Sequence, residues 1–420
     1  MLVVTSNWCV SDGTLSAGPP RGLVERFRAE VRRSSLRCGF RRDGSYQPID
    51  AVDVVLAGDT FDWLVSREWT GDVRPWDGGR RAAAALQRVA TGSLRQGSRL
   101  LAMLAAWMRR GIEVPVADRR GRPQPAVSRP VPVRVAVLCG DRDRWLEHVM
   151  SGSPPVAPGP VIGTTWSDGD ATVRHGAELD PLTVASGSEP TLGDSLAVDL
   201  IGRFGVSLHD IAMLRPLATG LLRRLAGGCP IESPRRLTGW LDAHDRGATL
   251  SGATRQEVAD AWRRAVAHWH RTARRLPCCG AGGVDLVGRV AELLELQPAT
   301  AAPQRVPWFD AVLPMEVGGS ATLVLGHPPA DIGSSAAWQR QVVCLGPRSC
   351  HARDGLNDDS GIPAAVVVTS PGRADQRIDW IQMTTMKPFG HPEDGRAERG
   401  VWLSSETDDP RALRHIVDAA

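Results

Sequence analysis

Four short stretches carry the residue types that chemistry needs: GDTFDWL at 58–64, GDRDRWL at 140–146, His175-Gly176 and Gly326-His327. Each follows an apolar run and sets a carboxylate or an imidazole beside a glycine. Five of the six residues from Val52 to Ala57 are Val, Leu or Ala, a run too continuous for a half-exposed strand and without helical spacing. It reads as a central strand buried on both faces, with Asp59 where that strand ends. In open α/β sheets the ligand crevice lies outside the carboxyl ends of the strands, so a carboxylate there is badly placed for packing and well placed for reaction. One such residue would serve equally as a turn or helix cap. Carboxylates and imidazoles recurring at successive strand ends instead converge on a single rim, which is how a sheet assembles a metal cluster. Asp59, Asp141, His175 and His327 are the candidate ligands, and Asn7 and Cys9, after the first strand, lie on the same rim. Mixed Asp and His donors suit Mn, Fe or Zn better than Ca or Mg.

Plainer roles exist for the same residues. His175 and His327 could be hydrogen-bonded core or cap histidines, and Arg142 a surface ion pair with Asp143 or Glu147. Asp62 reads as the residue that holds its own loop. His268, His270, Cys278 and Cys279 form a second concentration of donors, but helical positions two apart do not share a face, so the two histidines do not hold one ion.

The elements that must position these groups follow from the spacing of apolar residues. A first strand spans Leu2 to Thr5, and Gly22 to Arg33 has amphipathic helical spacing. Gly79 to Arg110 is a long helical pattern broken near Gly92 or Gly97. IEVPVA follows as a strand, then a Pro/Arg-rich loop from Asp118 to Pro132, then a buried strand in VRVAVLCGDRDRW and a short one from Thr172 to His175. Residues 191–297 are helical, and strands return at SATLVLGH, WQRQVVCLG, AAVVVTS and RIDWIQMT. The expected architecture is α/β with a helical insertion. It divides into a first part at 1–190, the insertion at 191–300 lying over the strand-end rim as a lid, a second part at 301–385 and a tail at 386–420.

Fifty Lys and Arg against 47 Asp and Glu leave a net charge of +3, which supplies no general attraction to nucleic acid or to a membrane surface. Lys387 is the only lysine, so the arginines reflect a compositional bias rather than a phosphate-binding device. Eight cysteines are scattered without CxxC pairs, which favours a reduced, cytoplasmic setting. No run approaches eighteen apolar residues, so no membrane span is expected. The fourteen tryptophans read as core and rim packing, since base stacking would need a basic groove beside them.

The order and spacing of the strand-end groups resemble those of the calcineurin-like metallophosphoesterases, whose pattern is DxH, GDxxD, GNHD or a variant, an isolated His, and GHxH. GDTFDWL fits the second motif completely, His175-Gly176 the fourth, and Gly326-His327 half of the fifth. GDTFDWL, GDRDRWL and RHGAELDP are similar in style to the UDP-2,3-diacylglucosamine diphosphatase type, which also carries Arg after Gly-Asn and inserts helices between its last two motifs. The resemblance runs from about residue 2 to 350, outside the insertion, and implies a four-layer αββα sandwich. It also implies roles. Asp59 would be a carboxylate bridging two metals, and Asp141, His175 and His327 would complete one of them. Arg142 would contact phosphoryl oxygens, as its planar fork does well.

The other metal is where this chain departs from the pattern. Its positions hold Asn7, Cys9, Asp59 and Pro329, of which proline has no donor and Asn only a neutral oxygen. One ion rather than two is therefore expected. The resemblance implies hydrolysis of a phosphoester or diphosphate in a phosphorylated small molecule, with Asp59, Asp141 and Arg142 as catalytic groups. The degenerate first and last motifs imply instead a binding or scaffold protein that has lost catalysis. A nuclease on the same fold is weakly encouraged by the arginines. The sequence does not indicate an oligomeric state.

Overall fold

The computed structural model describes residues 1–151 except 17 and 20, and 159–296 apart from short stretches at 169–170, 181, 185–188, 227–229, 247–249 and 280–282. Beyond these it describes 322–327, 341–345, 364–369 and 377–381. The chain starts with β1 (Leu2–Ser6), α1 (Arg21–Cys38) and β2 (Val52–Ala57), then α2 (Gly79–Gln96) and α3 (Ser98–Arg110), which part at Gly97. The hairpin β3 (Ile112–Ala117) and β4 (Pro123–Val131) follows, then β5 (Val133–Leu138), α4 (Leu146–Ser151), β6 (Val161–Gly163), β7 (Thr165–Asp168) and β8 (Ala171–Arg174). A helical stretch then runs through α5 (Leu192–Ser195), α6 (Arg203–Asp210), α7 (Arg215–Ala226), α8 (Ser233–Arg246), α9 (Gly252–Ala273) and α10 (Gly283–Leu293). The chain returns to strands at β9 (Thr322–Leu325), β10 (Gln341–Cys344), β11 (Ala364–Thr369) and β12 (Arg377–Ile381).

Two sheets carry the mixed α/β architecture. The larger has the order β12-β11-β1-β2-β5-β6, parallel from β1 to β6 with an antiparallel edge formed by β11 and β12. The smaller is β10-β9-β8-β7, parallel except for β7. Alternate residues of the larger sheet face opposite ways, as strand geometry requires. Leu2, Val4, Val55, Ala57, Ala136 and Leu138 pack with Ala171, Val173 and Val324 of the smaller sheet, so the two sheets lie face to face around a dry layer. Val3, Val54, Leu56, Val135 and Val137 face the other way, into the layer that Phe27, Leu104 and Trp107 fill from the helices. Being buried on both faces is what makes β2 an unbroken apolar run. Its one exception, Asp53, is paired with Arg134 of β5 at 2.5 and 2.8 Å.

The helices of 192–293 share this second layer rather than building a core of their own. Leu196, Phe204, Trp262 and Trp269 belong to the same buried cluster as Trp8, Leu15, Phe61 and Trp63. Hydrogen bonds tie them to the loops that follow the strands: His209 Nε2 to the Leu15 carbonyl at 2.9 Å, and Arg74 to Asp199 at 2.9 Å. Asp199 lies in Leu196–Gly202, a π-helical turn between α5 and α6 whose residues are all buried. Arg144, after β5, binds Asp194 of α5 at 3.0 Å.

The segment 118–132 departs from expectation. Most of it is β4, paired antiparallel with β3 across a register shift at Pro115/Val116, instead of a loop. The ribbon has only two strands, so alternate N–H groups of each strand face outward, and prolines are tolerated where no ladder donor is needed. Strands β6 and β7 also lie outside the expected set, being only three and four residues long. Among the described residues no helix is long and apolar enough to cross a membrane. The tail from 386 onward lies outside the described residues.

Two expected outcomes follow from this packing. A Cβ on Gly326, at the end of β9, would come within 1.9 Å of the Ala57 carbonyl oxygen at the end of β2. Gly326→Ala must therefore part the two sheets at that point, and denaturant unfolding should register a loss of about 1–3 kcal/mol, the usual cost of overpacking; an unchanged midpoint would refute the close approach. Asp194 supplies the second. Burial raises its pKa to about 6, outweighing the pull of Arg144. The folded chain then keeps a proton that the unfolded chain loses near pH 4, so this group's contribution is full below about pH 4 and is lost as pH rises through 6. At about 1.4 kcal/mol per unit the loss is roughly 3 kcal/mol. Asp194→Asn should flatten that fall when unfolding free energies at pH 4 and 7 are compared with wild type.

Candidate metal centre

The carboxyl ends of β2 and β5 and the residues after β8 and β9 meet at one place. One ligand atom from each of Asp59, Asp141, His175 and His327 lies within 4.8 Å of the other three. Each group follows the last residue of its strand by one to three positions: His175 directly after β8, Asp59 and His327 two residues after β2 and β9, and Asp141 three after β5. The parallel register that aligns Ala57 with Leu138, and Arg174 with Leu325, brings the four to one level.

Glycine makes the convergence sterically feasible at two of these positions. A Cβ on Gly58 would lie 2.1 Å from His175 Nδ1, and one on Gly140 would lie 2.2 Å from Asp59 Oδ1. The side chains that meet at the centre occupy the volume where those Cβ atoms would be. The backbone here is also held in an unusual form. Asn7, Cys9 and Asp59 are left-handed, at φ 59°, 45° and 50°, and among the described residues they are the only non-glycine residues with positive φ. Such residues cost of order 1–3 kcal/mol each and persist only where surrounding bonds hold them. Here Cys9 N donates to the Asp59 carbonyl at 2.9 Å, Val10 N to Thr60 at 3.0 Å and Asp62 N back to Val10 at 3.0 Å, extending the β1–β2 pairing past the strand ends.

The hydrogen bonds assign the imidazole nitrogens. His175 Nδ1 lies 2.8 Å from the Ala57 carbonyl oxygen, an acceptor only, so Nδ1 carries a proton and Nε2 faces Asp141 Oδ1 at 2.8 Å and Asp59 Oδ1 at 3.5 Å. A carbonyl or carboxylate behind the ring is the usual way a metal-ligating histidine is oriented. His327 is oriented by a carboxylate, its Nε2 lying 3.3 Å from Asp180 Oδ2, which leaves Nδ1 for ligation. Burial works against charging His175, but Asp59 and Asp141 push its pKa up to about 10. Burial likewise opposes ionising Asp141, yet the His175 hydrogen bond and the nearby His327 hold it well below the usual carboxylate range. Burial and Asp141 together raise Asp59. The pocket thus strongly favours positive charge.

The donor set fits a transition metal. It has two carboxylates and two imidazoles, and the atoms around one ion at about 2.0–2.2 Å lie no more than about 4.4 Å apart, so the observed spread closes with small shifts. Cys9 does not belong to this group of donors. Burial raises its thiol well above the usual range, so it is neutral. Asn7 turns its Nδ2 to the Gly326 carbonyl at 3.3 Å. Pro329 lies outside the described residues.

Arg142 is not on the surface and pairs with neither Asp143 nor Glu147. It is 7% exposed, and its guanidinium contacts Asp62 at 3.1 Å and Asp59 at 3.7 Å. The reason is that Asp143 is already occupied. It turns inward to accept the Gly140 amide at 2.7 Å and the Phe61 amide at 3.1 Å, linking the two GD loops. Burial and Asp59 push the Asp143 carboxyl up to about 7. Asp62 also caps its own loop, accepting from Leu64 N and Val65 N at 3.2 and 3.1 Å. His268 lies in α9 with its Nε2 buried and without a partner, away from this cluster.

A cleft of about 330 Å³ opens beside the cluster, lined by Asp141, His175, Arg144, Arg174, Thr191 and Asp194 among others. The helical segment contributes Asp194 and the capping residue before it, Thr191, to this wall, while its remaining helices pack behind the loops after β1 and β2. Sequence reasoning missed Asp180 as a partner of His327. The residue stood within RHGAELDP, but its partner is 147 positions away and no local signal connects them.

An outer carboxylate on a ligating histidine is typically worth 10–100-fold in metal affinity. Asp180→Ala should weaken Zn²⁺ binding by about that factor in competition with a chromophoric chelator, with the fold checked by circular dichroism. Unchanged affinity would detach Asp180 from the centre.

Comparison of the chain with family models, with curated proteins and with solved structures finds no match.

Proposed function

We propose that this chain is a metal-dependent hydrolase of phosphoesters or diphosphates in a phosphorylated small molecule, built on a metallophosphoesterase-type αββα sandwich. The observation that carries the reading is the convergence of Asp59, Asp141, His175 and His327 within 4.8 Å at the ends of adjacent parallel strands. These four would hold one divalent Mn, Fe or Zn ion. Such an ion, when bound, polarises a phosphoryl oxygen and makes water nucleophilic near neutral pH.

The chain's own residues supply the rest. Asp59 and Asp141 provide the negative charge that retains a cation, and the Ala57 carbonyl and Asp180 orient the two rings so that the other nitrogen of each would be the ligating one. Arg144 and Arg174 line the adjoining cleft beside their acidic partners Asp194 and Glu178 and would offer guanidinium N–H groups to a substrate's phosphates, and the cleft's volume suits a small molecule rather than a polymer. Arg142 is buried against Asp62 and Asp59 and does not line the cleft, so the phosphoryl contact expected of it passes to the two arginines that do.

A second reading, a binding or scaffold protein on the same fold, is favoured by one observation: Cys9 is absent from the donor cluster and Asn7 is bonded to Gly326. The two separate in one assay. Hydrolysis of a generic phosphomonoester, phosphodiester and diphosphate is followed with added Mn²⁺ in wild type and Asp59→Asn. The enzyme reading expects turnover that falls by at least about 100-fold in the variant, since a direct ligand should count for no less than an outer one. Stoichiometric metal binding without turnover on any of the three favours the scaffold, and turnover untouched by Asp59→Asn would remove the proposed site.

A further inference from the structure

Asp59 faces positive groups on two sides. Its Oδ1 lies 3.5 Å from His175 Nε2, within the donor cluster, and its Oδ2 lies 3.7 Å from Nε of Arg142. This is the disposition of a bridging carboxylate, with a guanidinium on the second side. The arginine is no mobile arm. Its side chain is 9% exposed, its NH1 reaches Asp62 Oδ2 at 3.1 Å, and its own backbone N–H donates to Asp59 Oδ1 at 3.1 Å.

The surroundings of that guanidinium are buried and acidic, with Asp59 and Asp62 facing it. Asp59 and Asp62 are each 1% exposed, and Cys9, whose amide is bonded to the Asp59 carbonyl, is near enough to interact electrostatically with Arg142 and both carboxylates. Although with Cys9 they form no converging donor group like that of Asp59, Asp141, His175 and His327, two buried carboxylates facing one point would attract a cation. Here a fixed side-chain charge stands among them, and a second dication brought to the same place would be repelled at a few ångströms in a site with little water to screen it.

We infer that the Arg142 guanidinium occupies the position of a second cation, on the side of Asp59 opposite the donor cluster that would hold one metal ion. The inference rests on the proposed ligand role of Asp59, Asp141, His175 and His327, and it goes beyond that role by fixing the ion count and its cause. Arg142 is then a positioning residue that acts through Asp59. It sets one positive charge between the buried Asp59 and Asp62 without metal, and it holds Oδ2 away from the donor cluster while Oδ1 remains directed into it. Removing the guanidinium leaves two buried carboxylates uncompensated beside a thiol that a zinc ion can deprotonate, which is a vacancy a second ion can fill.

The test counts ions. Zn²⁺ bound per full-length chain is measured by equilibrium dialysis and elemental analysis for wild type, Arg142→Lys, Arg142→Ala and Arg142→Ala with Asp62→Asn, with folding followed by circular dichroism. The expected counts are one, one, two and one. Two ions in wild type, one ion in folded Arg142→Ala, or two retained after Asp62→Asn is added would each overturn the inference. No ion in wild type would remove the ligand cluster itself and the inference with it, which separates the two failures. Should Arg142→Ala not fold, Arg142→Gln, which keeps most of the volume but not the charge, is counted in its place with the same two outcomes.

Discussion

The carboxylate of Asp59 is almost wholly removed from water, and the arrangement around it is the arrangement needed to keep a charge there. A lone buried carboxylate would take up a proton rather than stay ionised. Here Oδ1 receives the Arg142 amide and looks toward His175, and Oδ2 looks toward the Arg142 guanidinium. Supplying those partners requires β5 to lie beside β2 in parallel register, so that the residues after Leu138 arrive level with those after Ala57. It requires Gly140, whose missing side chain is the space Asp59 occupies, and it requires the second sheet to reach the end of β2 so that His175 can stand against the Ala57 carbonyl. The dry layer between the sheets and the left-handed turn after β2 are both consequences of bringing groups this close.

Stability and the proposed chemistry pull against each other in this region. Four carboxylates, Asp59, Asp62, Asp141 and Asp143, gather in one small volume, and burial raises three of them above their ordinary range. Buried ionic groups seldom stabilise a fold relative to apolar replacements, and left-handed residues never do. The cost is carried by the large apolar layer that includes Trp8, Trp63, Trp262 and Trp269, which joins the helical segment to the loops on either side of the centre. That segment therefore stiffens the loops from behind and contributes Thr191 and Asp194 to the cleft.

The strand-end groups were legible in the sequence because polar residues that follow a continuous apolar run have few structural reasons to be there. GDTFDWL, GDRDRWL, His175 and His327 could be picked out individually on that ground. The buried strands around them were legible for the same reason, and so was a helix break near Gly92 or Gly97, which the structure puts at Gly97. The hairpin partner β4 was not. Its prolines and exposed polar residues carry the composition of a loop, and it is a strand only because β3 offers a complementary edge while its own outer edge needs no donors. Short strands such as β6 exist for a similar reason, added to an edge that already exists.

What the sequence determined by itself was the inventory: which side chains lie at strand ends, that they are carboxylates and imidazoles, and that two positions after the first strand hold Asn7 and Cys9. What only the tertiary structure decided was direction. Arg142 has acidic neighbours in sequence at 143 and 147, yet it turns to Asp62 and Asp59, some eighty positions away, because Asp143 is drawn inward by two backbone amides. His327 is set by Asp180 and His175 by the carbonyl of Ala57, again across long separations. Spacing along a chain fixes the side of a strand or helix on which a residue lies; the partner of a buried charge is chosen by whichever complementary group packing brings within about 3 Å, and that is a property of the assembled sheets alone.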